Sequence, residues 1–224
     1  MTRNVVTLNA GSSSLKFALF ALIGGRPRLL EIGLAEMVGT ARHISVRDGG
    51  GELIHEESWL AGASPFHTDA LHRVMAWWDS VLPKPHIVAA GHRVVHGGVH
   101  YAHPVMVTDQ VLVDLRGLVK LAPLHQPPNI AGIVAAREAW PDVVHVACFD
   151  TSFHRSHPFV NDVFALPRRF YEEGVRRYGF HGLSYESVIG RLRGLAPLQA
   201  AGRVVVAHLG NGASMCAIRD GLSV

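Results

Sequence analysis

No stretch of about 18 consecutive apolar residues occurs in this chain, so it holds no candidate for a membrane-spanning helix. Its first residues lack a basic segment followed by an apolar one, and neither secretion nor a membrane partner is expected. Cysteine is scarce: Cys148 and Cys216 are far apart in apolar, strand-like stretches. They are expected to be reduced core thiols of a cytoplasmic protein, although a pairing between them stays open. Dense basic blocks are also missing, which argues against a nucleic-acid partner. The pairs Arg168-Arg169 and Arg176-Arg177 read more simply as a solvated face. The phosphate-loop spacing GxxxxGK[ST] and the zinc motif HExxH are both absent.

What is present is a globular composition. At 224 residues and 48% hydrophobic content the chain can bury one large core, or one core and part of another. Its 15 histidines make the formal charge of +3 sensitive to pH, so that charge says little about partners.

Hydrophobic periodicity predicts strands over Asn4–Leu8 and Leu15–Ile23 around the polar turn Asn9–Ser14, then weaker strands over Leu29–Glu36, Ile44–Arg47 and Glu52–Glu57. A helix fits His67–Leu82, stopped by Pro83. A short strand over His86–Ala90 bends into His92–Gly98, and a helical face over Val111–Ala122 ends at Pro123. After Leu121–Asn129 come a helix over Ile130–Trp140 and an apolar strand over Val143–Phe149. The segment Thr151–Tyr178 shows little periodicity. A helix over Ser184–Leu192 follows, then a buried strand over Val204–Leu209, the turn Gly210–Gly212 and a returning strand over Ala213–Ile218. The succession of strands and helices implies an α/β layer architecture. The similar turns at Asn9 and Gly210 suggest a duplicated unit. Residues 1–150 are expected to form a first α/β lobe and 151–224 the incomplete beginning of a second.

Several residues carry candidate chemistry. The turn at Asn9–Ser14 offers backbone N–H groups, the hydroxyls of Ser12, Ser13 and Ser14, and nearby Lys16; it reads either as an oxyanion cradle or as a serine-rich hairpin. Alternation over His92–His96 would set Arg93 and Val95 on one face, a fork and a wall for a short carboxylate, or else a salt bridge at a strand end. His92, His96, His100 and His103 have ligand-like spacing, but Gly97, Gly98 and Pro104 break any continuous helix, and scattered packing roles are the better account. Asp150 lies just past an apolar strand, where α/β folds place ligand groups; it could hold Mg²⁺, orient an oxygen or cap a helix. His125, His181 and His208 sit at element edges, as phosphoryl donors or as structural histidines.

The stretches NAGSSSLKF (9–17), GHRVVHGG (91–98), LAPLHQPPN (121–129), FDTSFH (149–154), RRYGFHGLSY (176–185) and HLGNGAS (208–214) closely resemble, in order, motifs of the acetate kinase family. The resemblance implies the actin, Hsp70 and sugar-kinase fold, two α/β lobes closing on a nucleotide, in a cytoplasmic homodimer that uses Mg-ATP to interconvert acetate and acetyl phosphate. Propionate and butyrate kinases are the nearby alternatives. By motif, Asn9, Ser12, Ser14 and Lys16 resemble the first-lobe phosphate group, with Asn9 and Asp150 near the metal. Arg93 resembles the arginine on the carboxylate, with Val95, Leu124 and Phe180 lining its pocket. His125 and His181 resemble donors to the transferring phosphoryl, and His208, Asn211 and Gly212 the second-lobe nucleotide loop. Gln126, Leu183 and Tyr185 depart from the Asn, Thr and His usual in these motifs. Family members are roughly twice as long, and segments resembling SMGFTPLEGL and GTRSGD are missing here, so a catalytically incompetent fragment is a further expectation.

Overall fold

The computed structural model describes residues 2–81 and 86–224, so the expected helix stop at Leu82–Pro83 lies outside the described residues. The chain divides into two compact units, residues 1–94 with 105–147 and residues 95–104 with 148–224.

The first unit is built on a sheet. Its strands are β1 (Arg3–Ala10), β2 (Ser14–Ile23), β3 (Arg26–Val38), β4 (Ala41–Asp48), β5 (Leu53–Leu60), β6 (His86–Val94), β7 (Val105–Met106) and β8 (Val144–Phe149), in the order β5-β4-β3-β2-β1-β6-β8-β7. The first five form an antiparallel meander, whereas β6 joins β1 in parallel after the crossover through α1 (Phe66–Val81). The remaining helices of this unit are α2 (Asp109–Gly117) and α3 (Gln126–Ala139), with a 3₁₀ turn at Val119–Leu121 between them. Thr108 caps α2 by accepting the Val111 N–H at 3.2 Å.

Alternation explains the core. Val6, Leu8 and Ala10 of β1 and Leu15, Phe17 and Leu19 of β2 are buried against Leu71, Val74 and Trp78 of α1 and Ala135 and Ala136 of α3. The Phe17 ring meets Trp78 edge-on at 5.9 Å. The buried Glu31 carboxyl accepts the indole N–H groups of Trp77 and Trp78 at 3.1 and 3.0 Å. Helix α3 starts four residues earlier than periodicity suggested, at Gln126. Pro127 and Pro128 fall in its first turn, where a missing N–H costs nothing.

The second unit has the three-stranded sheet β11-β10-β9, from β9 (Arg203–His208), β10 (Ser214–Arg219) and β11 (Leu222–Ser223). Short helices α4 (Phe159–Asp162) and α5 (Arg168–Glu172) punctuate the aromatic stretch, followed by α6 (Gly182–Leu195) and α7 (Pro197–Ala200). The core gathers Tyr185 and Ile189 of α6, Ala200, Val206, Cys216 and Ile218. Strand β9 is covered on one side only: Val206 is buried, but Val205 is 71% exposed, so the expected buried strand is half-solvated. Cys148 and Cys216 are both free thiols, and burial raises the pKa of each.

Candidate active site

In the first unit a polar row crosses three strands. The alternation that buries Leu8 and Ala10 turns Asn9 to the other face of the sheet. Antiparallel pairing sets Lys16 of β2 opposite Asn9. On the other side β6 aligns His92 with Leu8 and brings Arg93 alongside, where its guanidinium donates to the Asn9 side-chain oxygen at 3.1 Å. Lys16, Asn9 and Arg93 thus present an anion-seeking row on neighbouring strands. Strand β6 ends at Val94, and Val95, just beyond it, is buried and belongs to the second unit.

The adjoining turn is held from behind. His67 of α1 meets the Gly11 carbonyl through Nε2 at 2.9 Å, and Asn129 of α3 donates to the Ala10 carbonyl at 2.6 Å. A carbonyl only accepts, so His67 carries its proton on Nε2; burial lowers its pKa and keeps it neutral. The Gly11 N–H donates to the Ser14 carbonyl at 2.7 Å and the Met37 N–H to that of Ser13 at 2.9 Å. With these carbonyls occupied, Ser12 and Ser13 remain exposed and Ser14 half-buried beside exposed Lys16.

His125 is the residue before α3, and its side chain is exposed. Pro127 and Pro128 have no N–H and the Gln126 N–H is bonded to Ala122, so this helix start can meet an anion only through a side chain such as His125. Leu124 is 78% exposed and forms no pocket wall within its unit.

The second unit assembles the remaining residues. Asp150 follows β8, is buried, and its carbonyl accepts the Gly182 N–H at 2.8 Å. A Cβ at Gly182 would stand 2.3 Å from that oxygen, so only glycine permits this approach. The bond draws Asp150 to His181, which precedes α6 in the left-handed conformation at φ 58°. His181 Nδ1 lies 2.7 Å from Ser214 Oγ, and that hydroxyl also meets the Tyr185 hydroxyl. The His181 ring stacks on His208 at 4.1 Å, and His208 Nδ1 lies 2.9 Å from Ser184 Oγ. Asn211 and Gly212 are exposed in the β9–β10 turn, and a Cβ at Gly212 would lie 3.5 Å from the His181 ring. Phe180 is exposed, its ring edge-on to His96 at 5.7 Å.

Asp150, His181, His208 and Gly212 are therefore neighbours in one unit, and Asn9, Lys16 and Arg93 in the other. Sequence reasoning missed His67, Asn129, Ser184, Tyr185 and Ser214, which position them. Asn129, Ser184, Tyr185 and Ser214 lay inside the motifs that resemble the family's; His67 carried no signal.

No cluster of three or more His, Cys, Asp or Glu side chains able to hold a metal occurs among the described residues. Mg²⁺ is commonly held by one or two carboxylates together with phosphate oxygens, a mode that the buried Asp150 carboxylate fits. The Asn9 oxygen accepts from Arg93 and, with two lone pairs, keeps one for a second contact.

The sequence model of the acetokinase family matches residues 4–224. The chain belongs to that family. It is 67% identical to an acetate kinase of Methylocella silvestris over the whole of this chain and 57% of the relative, and 48% identical to one of Rhizobium meliloti over 98% and 56%. Among solved structures it is similar to a propionate kinase from Francisella tularensis, at TM-score 0.86 and 32% identity, and to the Porphyromonas gingivalis acetate kinase, at 0.84 and 33%. Each alignment covers 99% of this chain and 56% of the other. The acetokinase chain thus shares the α/β fold of the actin, Hsp70 and sugar-kinase class with these relatives, and spans little more than half their length.

Proposed function

We propose that this acetokinase-family chain supplies the amino-terminal part of an acetate kinase, which transfers the γ-phosphoryl group of ATP to acetate and gives acetyl phosphate and ADP, reversibly. The observation that carries the reading is the Lys16, Asn9 and Arg93 row beside the serine turn, in a chain whose relatives are acetate kinases. A carboxylate oxygen attacks the γ-phosphorus as the bond to the bridging oxygen of ADP breaks, and no proton need be abstracted because acetate is already anionic. Arg93, aimed by Asn9, holds the carboxylate and the developing charge as a bidentate fork. Ser12, Ser14 and Lys16 serve phosphate oxygens. His125 and His181 donate to the transferring group, and His208, Asn211 and Gly212 form the loop on the nucleotide phosphates. Mg²⁺ arriving with the nucleotide would be held by Asp150 and would offset charge between the phosphates.

Val95, Leu124 and Phe180 are assigned to the apolar end of the acetate site. Propionate is the second substrate of this reading, because one solved relative is a propionate kinase and one methylene changes discrimination by only about 1–3 kcal/mol. We further assign residues 1–150 to a first lobe and 151–224 to the start of a second, in a cytoplasmic homodimer. No helix among the described residues is long and apolar enough to cross a membrane.

The test uses the polypeptide extended to the length of its relatives, trapping acetyl phosphate with hydroxylamine. Arg93→Ala should lower kcat/KM for acetate by about 10²–10³ while the circular dichroism spectrum is retained. Turnover near that of the parent would reject the assignment, and a preference for butyrate would reject the substrate.

A further inference from the structure

Ser214 Oγ is shared by two partners, His181 Nδ1 at 2.7 Å and the Tyr185 hydroxyl. These three groups hold protons whose placement can be worked out. Tyr185 is 1% exposed, and Ser214 is its only hydrogen-bond partner among the described residues. If His181 donated from Nδ1 and Ser214 passed its proton to Tyr185, the phenol proton would be buried without an acceptor among the described residues, which is unfavourable. If His181 and Tyr185 both donated to Ser214, the serine proton would have no protein acceptor among the described residues. One arrangement satisfies every group: Tyr185 donates to Ser214, and Ser214 donates to His181 Nδ1. A neutral imidazole that accepts at Nδ1 carries its proton on Nε2.

We propose that Tyr185 is a positioning residue that acts through Ser214 to fix His181 as the Nε2–H tautomer, so that the ring offers a donor to an anionic oxygen. The proposal deepens the kinase reading and rests on the role given there to His181. It assigns work to Tyr185, where the family motif usually has a histidine. A phenol serves because its O–H is an uncharged donor that a buried site can hold. The geometry is stiff at both ends. Tyr185 lies in the core of its unit, and His181 is held at φ 58° by the bond between Gly182 and Asp150.

The tautomer can be read directly on the 224-residue chain, labelled with ¹⁵N in the histidine rings, from long-range proton–nitrogen spectra. The His181 signals are assigned by their loss in His181→Gln, and the spectra are recorded at mildly alkaline pH, where imidazoles are neutral. His181 is expected as a single Nε2–H form. Tyr185→Phe and Ser214→Ala should introduce the Nδ1–H form, while Ser214→Thr, which keeps a hydroxyl, should retain the parental pattern. An Nδ1–H tautomer in the unsubstituted chain overturns the proposal, whatever the variants do. A parental pattern in folded Tyr185→Phe and Ser214→Ala overturns it as well. Failure of the extended enzyme to phosphorylate acetate would instead remove the kinase reading and leave the tautomer result standing.

Discussion

Glycine spacing around His181 sets two substitutions in one helix against each other. At Gly182 a Cβ would stand 2.3 Å from the Asp150 carbonyl oxygen and 2.8 Å from the Phe153 Cβ, neither of which can swing away as a flexible side chain would. At Gly190, also in α6, nothing lies within 4 Å of an added Cβ. Gly182→Ala is therefore expected to lower stability by about 1–3 kcal/mol. Gly190→Ala should raise it by about 0.4–1 kcal/mol, by restricting the unfolded chain and improving helix propensity. Urea unfolding of both variants checks the pair, and a stabilised Gly182→Ala would contradict the close approach. At this scale the sequence revealed residue types but not their partners. Arg93 and Asp150 stood out as charges beside strand ends, whereas His67 reaches Gly11 across 56 residues and Asn129 reaches Ala10 across 119. No local pattern encodes such bonds.

At the scale of elements, alternation and proline punctuation carried most of the fold. They located β1, β2, α1 and β8 to within a few residues, because β1, β2 and α1 each bury one face against the same core and alternate residues of β8 are buried as well. They failed where geometry changes mid-segment. The chain leaves β6 at Val94, within the segment read as one run from His92 to His96, and α3 opens on two prolines that resembled a loop. One pairing between elements has a consequence for acid stability. His92 of β6 and His145 of β8 stack at 5.2 Å, with His92 Nε2 at 2.9 Å from His145 Nδ1. His145 Nε2 reaches the Trp140 carbonyl at 3.1 Å, so it is the donor there, and His92 must donate to His145. Burial, reinforced by His145, pushes the pKa of His92 down to about 3, and burial also lowers those of His145 and His67. A folded-state pKa below the unfolded 6.5 means that the unfolded chain binds more protons on acidification. The stability from keeping His92 neutral is thus fully present above about pH 6.5 and is lost as the pH falls toward about 3, and His145 and His67 act in the same direction. The urea midpoint should drop between pH 7.5 and pH 5.5, before most carboxylates titrate, at about 4. An unchanged midpoint would show that these rings are not buried as neutral groups.

At the scale of the whole molecule, the contrast lies between a well-buried sheet and a partly bare one. In the second unit the inner positions Val206, Cys216 and Ile218 are buried, while Val205 and Met215 are 71% and 75% exposed. Their exposure places them on the other face of the β9–β10 pair, in register close enough to form one apolar patch. Leu209, beyond the end of β9, is 76% exposed as well. Strand β9 is also an edge of its sheet among the described residues, with one side of its backbone outside the ladder beside that patch. Apolar surface next to a free strand edge favours self-association, so the 224-residue polypeptide is expected to aggregate or to bind a hydrophobic dye at micromolar concentration. The pair Val205→Thr and Met215→Gln should reduce dye binding and light scattering. Because both side chains are already in solvent, the urea midpoint should move by no more than that of an ordinary surface substitution, about 0.5 kcal/mol in stability. If the double variant unfolds instead, those side chains are packed, and the half-solvated reading of this sheet is wrong. The same polypeptide should show no acetate-dependent ADP formation, because in-line transfer needs both reactants fixed at once and this chain spans 56–57% of its relatives. Turnover near that of a full-length relative, abolished by Arg93→Ala, would show that the groups present here suffice.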